Sequence, residues 1–197
     1  MNYQIYKNAR DTAWNFLIEN NVTSLPIVFS GICRTNNIKL MRYVGDEYFA
    51  DDERGVAYFD NGSPCILVNG NDELCVQRYT IAHELGHIYL GHLSSGNSCH
   101  RLSGTRNDPR NSSEYQAERF AMNILAPACV LWALNVRTPK DISELCDISI
   151  YDAAIRAERM SRLYKRNKFL SSELEKKVYE NFKPFIIRNF RRQIYFP

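Results

Sequence analysis

Apolar positions recur at helical spacing over residues 3–20, where Ile5, Trp14, Leu17 and Ile18 stand among polar neighbours. Pro26 suits the first turn of a second helix running to about Arg34. The pattern then changes period. Residues 38–44 (IKLMRYV), 55–60 (GVAYFD) and 64–69 (PCILVN) are short runs of strand-forming residues, and Asn61-Gly62 between the last two signals a hairpin. A helix is predicted from Asp72 or Glu73 to about Tyr89, with Ile81, Leu85 and Ile88 as its buried stripe. Gly86 in its middle costs roughly 1 kcal/mol relative to Ala, which predicts close packing against another element at that point. Gly91 helps to end the helix.

Residues 93–111 are rich in Ser, Gly, Asn and Arg and predict a loop long enough to act as a lid over a cleft. Ser112 or Ser113 caps a helix running to about Ala126, where Pro127 stops it. The last third reads as helical throughout. Thr138-Pro139-Lys140-Asp141 offers an N-cap, a proline at the first helical position and an acid at the capping-box position, and Ser149 to Asp152 repeats the start. Helices are predicted near 138–146 and 149–166, with one or two more over 171–192. The fold class is therefore α+β: a small antiparallel or mixed sheet packed on the helix at 72–89, followed by a helical C-terminal region.

Composition narrows this picture in three ways. The chain of 197 residues has room for one well-packed domain with an appendage. It contains no run approaching the roughly 20 apolar residues of a membrane helix, and its N-terminus lacks the apolar segment of a secretory signal, so no membrane association and a cytoplasmic location are expected. Six cysteines at 33, 65, 75, 99, 129 and 146 form no CxxC pair, so neither a disulfide framework nor a thiolate zinc site is expected. Cys65, Cys75, Cys129 and Cys146 read as small buried hydrophobes, and Cys99-His100 is a lone pair without a second ligand cluster. Charge is uneven: residues 1–136 carry 11 basic and 14 acidic side chains, and residues 137–197 carry 14 and 8. A basic C-terminal region suits nucleic acid or an acidic partner, but a solvated helical face explains it as well.

The chemistry concentrates in His83-Glu84-Leu85-Gly86-His87. Two histidines four apart share a helical face and can present their imidazoles to one ion, while Glu84 lies about 100° round the helix, within reach of an activated water. This is the layout of a zinc hydrolase with Glu84 as its base. A third protein ligand is required. His92, five residues after His87, lies off the shared face. Glu114 and Glu118 are better candidates: they share a face of the following helix, whose Ala117, Phe120, Ala121, Ile124 and Leu125 form its contacting surface. One would bind zinc and the other would orient a ligating histidine from behind.

HELGHIYLGH, preceded by QRYTIA (77–82) and followed by EYQAERFAMNILAP (114–127), resembles the ImmA/IrrE metallopeptidases, over roughly residues 50–160. The resemblance implies zinc bound by His83, His87 and Glu114, with Glu84 as the catalytic carboxylate and Glu118 behind the ligands. Glu118 stands where the family usually has Asn, and Ala126 where it usually has Met. A metallopeptidase core over 1–136 is expected, with a helical region, 137–197, packed on it rather than independent. The implied substrate is a helix-turn-helix transcriptional repressor of a phage or mobile element, met in trans. Tyr115 and His100 are candidate oxyanion donors, and residues 64–69 a candidate free edge for the substrate backbone. The competing reading is a DNA-binding or antirepressor regulator that acts without proteolysis. It draws on the basic C-terminal region and on ISELCDISIYDAAIRAERM (142–160), which has the outline of a helix-turn-helix. Ser149, Ile150, Tyr151 and Asp152 equip the start of its second helix poorly for reading bases.

Overall fold

The structure, a computed structural model, describes residues 3–45, 47–93, 100–103 and 112–195, without the side chains of 100–103, 112 and 191–195. Its elements run α1 (Tyr3–Glu19), α2 (Phe29–Thr35), β1 (Lys39–Tyr43), β2 (Glu53–Asp60), β3 (Ser63–Asn69), α3 (Leu74–Tyr89), β4 (His100–Ser103), α4 (Ser112–Leu125), α5 (Ala128–Ala133), α6 (Pro139–Cys146), α7 (Ile150–Lys165) and α8 (Glu173–Tyr195). The α+β expectation is met. Contacts divide the chain into two compact units, Met1–Thr12 with Val28–Ala121, and Ala13–Ile27 with Met122–Pro197.

The first unit holds the sheet, which among the described residues has four strands in the order β1-β3-β2-β4. Asn61 and Gly62 both take positive φ, 48° and 80°, the conformation of a type I′ turn that matches strand twist. The turn sets the antiparallel register of β2 and β3, with Asp60 opposite Ser63 and Val56 opposite Leu67. β1 joins the other side of β3 in parallel, Lys39 opposite Cys65 through Tyr43 opposite Asn69. The sheet is therefore mixed.

Two expectations change here. β3 is not an edge: it is hydrogen-bonded on both sides, and among the described residues the edge strands are β1 and β4. β4 lies inside the stretch expected to be loop and pairs antiparallel with β2. Four residues are too few to show an alternating pattern, and the pairing partner lies over 40 residues away, so local composition carries no signal.

One face of the sheet carries Val56 and Leu67, which pack with Phe49, Met41, Tyr43 and Tyr58. On the opposite face lies α3, in contact with β2, β3 and β4. The helix begins after Glu73, as expected. Gln77 Nε2 ties its first turn to the strand exit by donating to Asp72 O at 2.7 Å and Gly70 O at 3.3 Å, and Arg54 on β2 forms an ion pair with Asp72. Its burial is broader than the predicted stripe: Ala82 to His87 are all buried, whereas Ile81 and Ile88 are half-exposed.

In the second unit the capping boxes appear as read. Thr138 Oγ1 accepts from the Asp141 N–H at 3.2 Å, and Ser149 Oγ from the Asp152 N–H at 3.1 Å. α6 and α7 pack together, as do α5 and α8. Pro127 does stop α4, and it also serves as N-cap to the unforeseen α5. Where one or two helices are expected over 171–192, there is one, α8, with Pro184 inside it. Pro26 does not open a helix: Val28 is still extended, and α2 starts at Phe29.

Candidate metal centre

Two glycines let α3 sit close to its neighbours. A Cβ on Gly55 of β2 would collide with Thr80 Cγ2. On the other side, a Cβ on Gly86 would lie 3.0 Å from Ala117 Cα, 3.1 Å from Ala117 O and 3.3 Å from Ala117 Cβ. The expected close packing at Gly86 is thus with α4. Glu114 stands one turn before Ala117, so this contact brings its carboxylate to the histidine face of α3.

There the Nε2 atoms of His83 and His87 are 3.0 Å apart. Glu114 Oε2 lies 3.1 Å from His83 Nε2, and Oε1 3.4 Å from His87 Nε2. All three residues are buried, with one ligand atom from each inside a span of 4.8 Å, a group that could hold a metal ion. Tetrahedral zinc, with bonds of about 2.0–2.2 Å, sets its donor atoms about 3.3–3.5 Å apart. The three separations lie at or just below that spacing. Two imidazoles and one carboxylate are also a donor set zinc accepts, so the residues fit the ion.

Glu84 is fully buried, and neither of its oxygens has a hydrogen-bond partner among the described residues. Burial first, and the charge of Glu114 second, raise its pKa well above the usual carboxylate range; the Ala57 backbone, short of hydrogen-bond geometry, pulls the other way. An unpartnered buried polar group costs roughly 1–3 kcal/mol, more if charged. A carboxylate in this position is stable when it holds a proton or meets a polar guest. Burial alone would raise Glu114 too, but the hydrogen bonds and charge of His83 and His87 overcome it and hold Glu114 below the usual range.

Behind the cluster the two imidazoles differ. His87 Nδ1 lies 3.2 Å from His92 Nδ1, whereas His83 Nδ1 is buried without a hydrogen-bond partner among the described residues. His92 is therefore beside the cluster and outside the group of convergent ligand atoms. Glu118 is outside the group of convergent ligand atoms, and its carboxylate meets Arg119 at 3.5 Å. Tyr115 lies under the Arg119 guanidinium, 5.0 Å from ring centroid to Cζ. Cys99, the His100 side chain and residues 94–99 and 104–111, where a lid is expected, lie outside the described residues. None of the described cysteines is in a disulfide; Cys33, Cys65, Cys129 and Cys146 are buried, but Cys75 is half-exposed, contrary to expectation. Burial, with the charge of Glu175 added, pushes the Cys129 thiol up to about 12, so it is inert as a ligand. His92 and Gly55 are the neighbours of the site that reading the sequence undervalues. A glycine followed by histidine at the helix end is the available signal for the first.

The peptidase M78 family model, described as the IrrE N-terminal-like domain, matches residues 39–150. No curated protein matches the chain.

Proposed function

The chain belongs to the ImmA/IrrE family of metallopeptidases, and on that premise we propose that it is a zinc-dependent endopeptidase acting on a transcriptional repressor. The observation that carries the reading is the convergence of His83, His87 and Glu114 beside the buried Glu84 carboxylate, whose oxygens have no hydrogen-bond partner among the described residues. In this reading His83, His87 and Glu114 hold the ion and Glu84 is the catalytic residue. A zinc ion held there supplies Lewis acidity, making water a better nucleophile and a peptide carbonyl a better electrophile. Glu84 takes the proton of the attacking water on a carboxylate oxygen and returns it to the leaving amine nitrogen. Burial and the Glu114 charge favour the protonated form of Glu84, the form that must persist between the two transfers. The substrate backbone is aligned by adding to a sheet edge. With β3 enclosed, β4 is the better candidate than β1, because α3 packs against β4.

The repressor substrate rests on the family resemblance. A cytoplasmic setting would follow from it, and no helix among the described residues is long and apolar enough to cross a membrane. The DNA-binding alternative gains little from α7: between Ile150 and Ala157 its one cation, Arg156, is buried, so the helix start offers no exposed charge to phosphate. The test is co-expression with a helix-turn-helix repressor encoded beside the gene. Cleavage is expected, and Glu84→Gln should abolish it while bound zinc remains. Equal cleavage by Glu84→Gln would remove the proposed role. A salt-dependent shift of duplex DNA that survives Glu84→Gln, without cleavage, would favour the binding alternative.

A further inference from the structure

The helix that carries both histidines ends in an arrangement with a consequence for one of them. Gly91 follows the last turn of α3 with φ at 70°, a left-handed conformation that glycine adopts without penalty. The Gly91 N–H donates to Ile88 O at 3.2 Å, and the His92 N–H donates to His87 O at 2.9 Å. These two bonds form a Schellman cap, which folds the residue after the glycine back over the one five positions earlier. On a continuing helix His92 would face away from His87. Under the cap, the two rings meet edge to face, with centroids 5.1 Å apart and planes at 71°, and the Nδ1 atoms come within 3.2 Å.

Two neutral imidazoles can share that contact only if one Nδ1 carries the proton and the other accepts it. His87 has its Nε2 turned towards His83 and Glu114, so its lone pair there is free for a metal only when the proton sits on Nδ1. We propose that His92 is a positioning residue for the metal site: its Nδ1 accepts from His87 Nδ1–H and so holds His87 in the tautomer and ring orientation that present Nε2 to the ion. This rests on the metal-site reading above. Outer partners of this kind typically change metal affinity 10- to 100-fold. The cap is part of the device, because Gly91 fixes where His92 falls. A Cβ at Gly91 meets no atom of the described residues within 4 Å, so substitutions there act chiefly through backbone conformation.

The test uses the full chain and zinc alone, with affinity measured by competition with a chromophoric chelator and His87 observed by long-range 15N–1H correlation in the zinc-loaded protein. The wild type should bind one zinc with His87 protonated at Nδ1. His92→Leu should retain a stoichiometry of one with affinity reduced 10- to 100-fold. His92→Asn, whose Oδ1 occupies nearly the place of the imidazole Nδ1, should recover most of that loss. Gly91→Ala should weaken binding, and Gly91→Asn, a residue that tolerates the left-handed region, should weaken it less. Affinity of His92→Leu within twofold of wild type would overturn the proposal, and so would His87 protonated at Nε2 in the loaded wild type, a readout that needs no variant. If the wild type itself binds no zinc, the metal-site reading falls and takes this inference with it, an outcome distinct from either.

Discussion

Replacing Gly86 with alanine probes the contact on which the proposed ligand geometry depends. The added Cβ would lie 3.0 Å from Ala117 Cα and 3.1 Å from Ala117 O, against the 3.5–4.0 Å or so of a relaxed carbon contact. Because those atoms are backbone, no side-chain rotation relieves them, and α3 and α4 must part by roughly half an ångström. Ala117 and Glu114 occupy adjacent turns of one helix, so the displacement passes to a carboxylate whose oxygens stand 3.1 and 3.4 Å from the histidine nitrogens. Metal bonds tolerate about 0.2 Å. For the metal-free fold the effects partly cancel: alanine gains about 1 kcal/mol of helix propensity, while overpacking costs about 1–3 kcal/mol. Net destabilisation should then be no more than about 2 kcal/mol, read by urea unfolding, with zinc affinity lowered at least about 10-fold, or 1.4 kcal/mol. Trimming Ala117 to glycine in the same protein should rescue only in part, since the clashing Cα and carbonyl oxygen remain. Zinc affinity of Gly86→Ala within twofold of wild type would refute the argument that this contact places Glu114.

Three further outcomes follow from the same geometry. Zinc bound to Glu114→Ala should fall below detection in metal analysis, while Glu118→Ala, which loses an ion pair to Arg119, should keep it; the reverse order would transfer the ligand role. For the metal-free protein, Glu84 has a folded pKa raised above its unfolded value. The unfolded chain therefore releases this proton first, and stability falls as pH rises from about 4.5 towards the folded pKa, by about 1.4 kcal/mol for each pH unit in that interval. Glu84→Gln should thus be more stable than wild type at pH 7 and nearly equal to it below pH 4, in chemical denaturation with chelator present; no gain at pH 7 would contradict the strain assigned to Glu84. Thr138→Ala removes the side-chain cap of α6 and should cost about 1 kcal/mol, with little effect on zinc binding.

What is legible in the sequence is what neighbours along the chain decide. The i, i+4 pair His83 and His87, the hairpin at Asn61-Gly62, and the caps at Thr138 and Ser149 are local devices whose geometry follows from a few residues. What is not legible depends on distant partners or on a break in periodicity. β3 reads as a free edge because nothing in residues 64–69 announces that β1 returns beside it in parallel. β4 stays hidden because four residues pair with a strand far back in the sequence. Helical-face arithmetic turns His92 away from the ligands, and it holds only until Gly91 folds the chain back on itself. Glu114 and Glu118 are equivalent on a helical wheel, and only the docking of Ala117 on Gly86 separates them.

The central claim is that His83, His87 and Glu114 bind zinc together. X-ray absorption at the zinc edge of the loaded protein addresses it directly. A shell of nitrogen and oxygen neighbours only is expected at about 2.0–2.2 Å, containing two imidazoles and losing one oxygen ligand in Glu114→Ala. A sulfur neighbour at about 2.3 Å, or a spectrum unchanged by Glu114→Ala, would contradict it.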